Sequence, residues 1–257
     1  GGTYLTVTAD YAPVGGGGYN TASGIGSVVA GGGGEDPIVV RNLPNTASGM
    51  LSVIGGGGLN RASEGYATVS GGQGNTADAW AATIGGGEQI TVTGSWATVA
   101  GGTENVAEGD YASIGGGQMH IAEGKDATVC GGWANAAKGD QSVVCGGYDN
   151  EAVGDHATVS GGYNNEAGAN FSTVVGGHSA EASHFGSVAH AAGSFSEAGD
   201  AQQAFYVLRG TTYDDTPTEL FLDGASQRLT IGRRSITFDI LVVARTAGSI
   251  PYSAGYT

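Results

Sequence analysis

The sequence predicts an all-β protein, a parallel β-solenoid or β-roll built from repeats of 15 residues. The first observation behind this prediction is a strict period. One phrase recurs between residues 66 and 178, as Tyr66-Ala-Thr-Val-Ser-Gly-Gly72, Trp96-Ala-Thr-Val-Ala-Gly-Gly102 and His156-Ala-Thr-Val-Ser-Gly-Gly162. Its β-branched residue returns every 15 positions, at Val69, Ile84, Val99, Ile114, Val129, Val144, Val159 and Val174. A helical hairpin repeat needs about 33 residues, so each repeat is expected to be one turn of a solenoid.

The second observation is alternation within the repeat. In Ala67-Thr68-Val69-Ser70, Ala and Val share one face of a strand, whereas Thr and Ser share the other. A second phrase follows each glycine pair, as in Asn105-Val-Ala-Glu-Gly109, Asn135-Ala-Ala-Lys-Gly139 and Asn150-Glu-Ala-Val-Gly154. Two short strands, turned by glycine at both corners, therefore define one coil. Equivalent residues of successive coils are expected to stack about 4.8 Å apart.

The third observation is the small size of the residues predicted to face inward. The column beside the β-branched residues contains Ala67, Ala82, Ala97, Ala112, Ala127, Ser142, Ala157 and Ser172. The facing column from the second phrase contains Ala77, Val92, Ala107, Ala122, Ala137, Ala152, Ala167 and Ala182. Such a core is narrow and stabilises each coil little, because burying a methyl or isopropyl group contributes only about 1–2 kcal/mol. Lateral association of several chains is expected to compensate.

Composition supports a fibrous protein rather than an ordinary globular enzyme. The chain has 257 residues, of which 51 are glycine, and a formal net charge of -15. An acidic chain is a poor partner for nucleic acid or an anionic membrane surface. No stretch approaches 18 consecutive apolar residues, so no insertion into a membrane is expected. No motif calls for a cofactor.

The repeated phrases resemble the YadA-like head repeats of trimeric autotransporter adhesins. They are even more similar to the Gly-Gly variant of that repeat in bacteriophage tail-fibre proteins. The resemblance covers about residues 11–200, and the 15-residue period and paired glycines favour the phage proteins. It implies a homotrimeric β-roll in a virion tail fibre, in contact with adjacent tail or fibre proteins and with a host cell-surface glycan or protein.

Three regions are predicted along the chain. Residues 1–65 carry the phrases at irregular spacing, interrupted at 35–44 by a loop or short hairpin that either binds a partner or packs against a preceding fibre segment. Residues 66–200 form the regular array and its cap. Residues 201–257 have heavier apolar runs and predict an incomplete C-terminal antiparallel β domain. Its expected strands include Phe205–Leu208, Glu219–Leu222, Arg228–Ile231 and Ser235–Val243.

One column suggests a binding surface. The residues after each glycine pair are Gln73, Glu88, Thr103, Gln118, Trp133, Tyr148, Tyr163 and His178, so aromatic character builds over consecutive coils. An exposed series of rings could stack on sugar faces, and Trp133, Tyr148, Tyr163 and His178 are the candidate glycan or receptor contacts. The alternative is that these rings pack over the corner or into a neighbouring chain. A second column, which includes Tyr66, Trp96, Tyr111 and Phe171, is interpreted as corner packing.

Other residues do not predict catalysis or metal binding. Asp140 and Asp155, or Glu151, Glu166 and Glu181, would lie one coil apart, near the roughly 5–5.5 Å of a retaining glycosidase, but any acidic column of an array creates such pairs. Cys130 and Cys145 share a column, where they could form a disulfide across adjacent coils or remain free, small, buried residues. The histidines at 120, 156, 178, 184 and 190 do not form a metal cage, because they occupy different columns.

These observations predict a non-catalytic structural and host-attachment fibre protein of a phage tail. The bacterial cell-surface head of a trimeric autotransporter adhesin is an alternative with the same fold. A polysaccharide depolymerase tailspike is an alternative from a different class. Ice binding through threonine columns such as Thr68, Thr83 and Thr98 is disfavoured because Ser113 and Val143 interrupt the column.

Overall fold

The protein is an all-β solenoid, as the sequence predicts. The computed structural model describes residues 2–36, 41–211 and 218–229, and no helix occurs in these segments. Two parallel sheets run along the array, and each coil contributes one short strand to each sheet. Paired strands in the regular array are 15 residues apart, as in Thr68 with Thr83 and Thr83 with Thr98.

The first sheet, here called the alanine sheet, contains eleven parallel strands, most of which begin with the second residue of an Asn-x-Ala phrase. These strands are Thr6–Val7, Thr21–Ala22, Thr46–Ala47, Arg61–Ala62, Thr76–Ala77, Thr91–Val92, Val106–Ala107, Ile121–Ala122, Ala136–Ala137, Glu151–Ala152 and Glu166–Ala167. In most strands the first residue faces outward and the second is buried.

The second sheet, here called the valine sheet, contains twelve strands. They are Val28–Val29, Val53–Ile54, Thr68–Val69, Thr83–Ile84, Thr98–Val99, Ser113–Ile114, Thr128–Val129, Val143–Val144, Thr158–Val159, Thr173–His178, Val188–Ala192 and Gln202–Phe205. The last strand is antiparallel to Val188–Ala192, so it ends the parallel growth of the sheet.

The core consists of the columns that the alternation predicts. Val69, Ile84 and Val99 from the valine sheet are fully buried, as are Ala77 and Ala107 from the alanine sheet. These side chains are too small to fill a wide interior, so the two sheets lie close together. The solenoid is therefore narrow, and each coil depends on the coils above and below for its backbone hydrogen bonds.

The N-terminal part has the same geometry as the regular array apart from one insertion. Thr6 pairs with Thr21 at the usual spacing, but Thr21 pairs with Thr46, ten residues further along than the period requires. The extra residues include the strands Glu35–Asp36 and Arg41–Asn42, which pair in an antiparallel hairpin. A further parallel pair joins Gly2–Thr3 to Gly17–Gly18.

The C-terminal end of the array departs from the period. The pairing of Thr173–His178 with Val188–Ala192 shifts register after Val174. Beyond Gln202–Phe205, Arg209 pairs with Phe221 in one antiparallel bridge. The predicted strand 235–243 lies outside the described residues, so the C-terminal β domain stays a prediction.

Candidate functional site

The residue after each glycine pair forms a third line of contact between coils, here called the post-glycine corner. Successive members pair through single parallel bridges. The bridged residues are Gly58, Gln73, Glu88, Thr103, Gln118, Trp133, Tyr148, Tyr163 and His178. The main chain thus holds these positions in register, and the four candidate contact residues come from consecutive coils.

The aromatic side chains of this corner stack on one another. The ring centroids of Trp133 and Tyr148 are 4.5 Å apart at an interplanar angle of 14°, and those of Tyr148 and Tyr163 are 5.0 Å apart at 11°. His178 meets Tyr163 edge to face, at 4.9 Å and 81°. These separations match the coil spacing of about 4.8 Å, so the backbone repeat itself places the rings at a favourable stacking distance.

This stacking limits how the corner could bind a ligand. The faces of Tyr148 lie against Trp133 and Tyr163, which leaves its edge and hydroxyl to the solvent. Tyr148 and Tyr163 are nevertheless 42% and 48% exposed. A sugar or protein would therefore contact ring edges and phenolic hydroxyls, rather than the ring faces that the sequence-based hypothesis assumed.

The backbone beside each ring turns in a left-handed conformation. Ala134, Asp149 and Asn164, which follow Trp133, Tyr148 and Tyr163, have φ values of 51°, 54° and 52°. Asp and Asn tolerate this conformation better than most residues, whereas alanine adopts it at a cost.

A column of buried asparagines supports the post-glycine corner from inside. Asn150, for example, donates hydrogen bonds through Nδ2 to the carbonyls of Gly146 and Gly162, at 3.0 and 2.9 Å. Its Oδ1 accepts from the backbone N–H of Asn165, 3.1 Å away on the next coil. The same column contains Asn20, Asn45, Asn60, Asn75, Asn105, Asn135, Asn150 and Asn165, all at most 1% exposed. This column satisfies buried backbone groups that the two short strands leave without partners.

Ile90 and His120 interrupt the asparagine column. His120 is fully buried, and its Nδ1 accepts a hydrogen bond from the backbone N–H of Asn135 at 3.0 Å. Its Nε2 has no well-formed hydrogen bond. Burial lowers the pKa of His120 from its ordinary value, and hydrogen bonds with the backbone of Asn135 and Gly132 offset this only in part. Burial therefore favours the neutral form of His120 in the folded protein.

Replacing His120 with asparagine is expected to stabilise the solenoid, and more so in acid. Asparagine can donate to two glycine carbonyls as its neighbours in the column do, a gain of about 1–2 kcal/mol. The pKa of residue 120 is lower in the folded protein than its ordinary value of 6.5, so below about pH 6.5 the unfolded chain binds more protons than the folded chain. The free energy of unfolding therefore decreases as pH falls. The difference in thermal midpoint between His120→Asn and the unsubstituted protein should widen from pH 7.5 to pH 5.5.

The matched control for this prediction is His156→Asn, because His156 is exposed. This variant should not reproduce the widening. A difference for His120→Asn that stays constant over the pH range would show that His120 does not carry the acid sensitivity.

A second aromatic surface lies at the opposite corner, before the valine-sheet strands. Trp96 and Tyr111 stack at 5.3 Å and 4°, and His156 and Phe171 at 4.7 Å and 11°. Trp96, Tyr111 and Phe171 are each about half exposed, at 51%, 49% and 51%. Unlike the post-glycine series, these pairs are separated by the coils that carry Asp126 and Gln141. The residues pack on each other, yet most of each ring edge reaches the solvent.

The acidic columns contribute to the turns. Asp140 accepts a hydrogen bond from the backbone N–H of Lys125 at 2.9 Å, and Asp155 accepts one from Asp140 at 3.1 Å. Glu151 forms an ion pair with Lys138. These carboxylates therefore pair with groups of the preceding coil and do not face a cleft.

The cysteines correct one sequence-based expectation. Cys130 and Cys145 are free, as the sequence analysis allowed, but both are exposed and not buried. Alternation explains this, because each follows an inward valine and so faces outward. Partial desolvation raises the pKa of the exposed Cys145 thiol, and its interaction with Cys130 adds to the rise.

Searches for related proteins add no family assignment. No protein family matches the chain, and no curated protein sequence matches it.

The part of the chain that the structure describes has no group of three or more His, Cys, Asp or Glu side chains placed to hold a metal ion. Over the same residues, no helix is long and apolar enough to cross a membrane. The fold places the protein in the class of parallel β-solenoids with 15-residue coils.

Proposed function

We propose that this protein is a structural and host-attachment component of a phage tail fibre, assembled as a homotrimer and exposed on the virion. The resemblance of its repeats to those of tail-fibre proteins motivates this assignment. Adjacent tail or fibre proteins and a host cell-surface glycan or protein are the proposed partners.

The observation that carries attachment is the unbroken stack of Trp133, Tyr148 and Tyr163 on the outside of the solenoid. Exposed aromatic side chains in a rigid array are typical of contact surfaces, since they offer large area at low conformational cost. Here the rings are held by bridges between coils and by the asparagine column behind them. Their edges and hydroxyls form a preorganised strip along the fibre.

The thin core supports self-association. Its buried side chains are mostly alanine and valine, which contribute little per coil to stability. An assembly of several chains would bury further surface without changing the conformation of the coils. A trimer in solution is therefore part of the proposal.

Loss of the post-glycine rings is expected to weaken attachment strongly. The double variant Trp133→Ser, Tyr148→Ser should lower the affinity of the labelled protein for bacterial cells or immobilised surface polysaccharide by about a hundredfold to a thousandfold, because central aromatic contacts often contribute about 2 kcal/mol each and about 1.4 kcal/mol is a factor of ten. Binding to a panel of such cells and polysaccharides measures this.

The control is Trp96→Ser, Tyr111→Ser, which removes another stacked tryptophan–tyrosine pair, from the opposite corner. This variant should retain binding. Undiminished binding by the Trp133 and Tyr148 variant would remove the post-glycine corner from the attachment surface.

A further inference from the structure

The outer face of the valine sheet has no charged residue over eleven coils. Its first outward column contains Val28, Val53, Thr68, Thr83, Thr98, Ser113, Thr128, Val143, Thr158, Thr173 and Val188. Its second outward column contains Ala30, Gly55, Ser70, Gly85, Ala100, Gly115, Cys130, Cys145, Ser160, Val175 and His190, so neither column has an Asp, Glu, Lys or Arg. In a chain with a net charge of -15, an uncharged surface of this length requires a physical explanation.

The other surfaces of the solenoid carry the charge. The alanine sheet presents Arg61, Glu151 and Glu166 at its first outward column. The post-glycine corner includes Glu88, and the column beside it includes Glu104. Carboxylates outnumber cations on these surfaces, so copies of this chain that met through them would repel each other. The valine sheet is the face on which repulsion between copies is weakest.

The glycine pairs leave the edge of this face without side chains. Gly102 has a φ of 97°, and a Cβ there would lie 2.0 Å from the carbonyl oxygen of Gly117, so the coil itself requires glycine. The first glycine also has a positive φ in several coils, between 139° and 150° at Gly86, Gly116, Gly146, Gly161 and Gly176. The backbone of the coil therefore accounts for the glycines, and one consequence is that a neighbouring copy meets no side chain at these positions.

The face is long enough to join copies along the whole array. Eleven positions about 4.8 Å apart extend over about 50 Å, so a contact through this face would run along every coil of the regular array.

We propose that the outer face of the valine sheet is the surface through which copies of this chain associate. This inference rests on the self-association in the proposed function and assigns it to one sheet. Threonine and valine side chains of one copy pack against those of another, with the first glycines allowing the backbones to approach. The charged alanine sheet and both aromatic corners then remain exposed on the assembly.

Glutamate substitutions test the assignment. The variant Thr98→Glu, Thr128→Glu places two charges on the valine sheet, two coils apart. Its control, Thr91→Glu, Ile121→Glu, places two charges at the corresponding spacing on the alanine sheet.

Light scattering over a concentration series should show that the valine-sheet variant dissociates to the chain mass of 25.3 kDa, while the control keeps the mass of the unsubstituted assembly. The assembly's apparent dissociation constant should rise by about a hundredfold or more in the valine-sheet variant, because like charges brought together in an interface repel.

Thiol reactivity gives a second readout that needs no substitution. Cys130 and Cys145 lie on this face and are exposed in the single chain. In the assembled protein they should react with a maleimide far more slowly than after dilution to single chains. Equal rates in both states, or dissociation of the alanine-sheet variant alone, would overturn the assignment to the valine sheet. An unsubstituted chain that is monomeric at every concentration would instead contradict self-association itself.

Discussion

Replacement of Gly102 by alanine is expected to destabilise the solenoid by about 3 kcal/mol or more. The φ of 97° at Gly102 is costly for a residue with a Cβ. The added methyl group would also lie 2.0 Å from the Gly117 oxygen and 2.6 Å from Nδ2 of Asn105. Because the obstruction is backbone of the next coil, it cannot move away without disturbing the stack. Thermal unfolding followed by circular dichroism measures the loss.

Gly168→Ala is the matched control. Gly168 does not have a left-handed φ, and a Cβ there would meet first the flexible end of the Glu166 side chain at 3.0 Å. The equivalent positions of the preceding coils contain Val153 and Lys138. This substitution should change the midpoint little. Equal effects of the two substitutions would show that the coils do not pack as closely as the structure requires.

Replacement of Asn150 by alanine is expected to cost about 2–4 kcal/mol, because buried polar groups left without partners are expensive. The carbonyls of Gly146 and Gly162 would lose their donor, and the backbone N–H of Asn165 would lose its acceptor. The thermal midpoint should fall, and amide hydrogen exchange should accelerate first at Asn165 and its neighbours.

Asn170→Ala provides the comparison, since Asn170 is exposed at a turn and accepts a single backbone hydrogen bond, from Asp155 at 3.1 Å. Its loss should have a small effect, because water can replace that bond. If both asparagine variants unfolded at the same temperature, the buried column would not contribute the support described above.

The fold was predictable because one period governs the backbone and the core. The 15-residue recurrence of Val69, Ile84 and Val99 fixed both the coil length and the register, which the strand pairing confirms. Alternation then assigned the inward residues correctly. Few other folds allow so direct a step from sequence to register, because each coil here repeats the contacts of the one before.

The asparagine column was missed although a signal was present. Asn105 lies two residues before Ala107, so the two share a face of the chain, and an inward alanine implied an inward asparagine. The hydrogen bonds that make this favourable join three coils, whereas each phrase of the sequence covers only one. The exposure of Cys130 and Cys145 followed from the same alternation.

The aromatic column was found from sequence, whereas its geometry was not. Recurrence placed Trp133, Tyr148 and Tyr163 in line, but mutual stacking depends on side-chain rotamers and on the bridges at the post-glycine corner. The sequence also did not reveal that the opposite corner holds similar stacked pairs. Attachment through the post-glycine corner therefore remains a proposal that the serine variants test.

The central claim is that the thin solenoid works as a self-associated fibre, and its most direct test is the solution mass of the unsubstituted chain. Light scattering with and without mild denaturant is the measurement, and it is also the reference for the glutamate variants. A mass near three times the chain mass of 25.3 kDa, persisting in mild denaturant, is the predicted result. A stable, folded monomer at all concentrations would contradict the account.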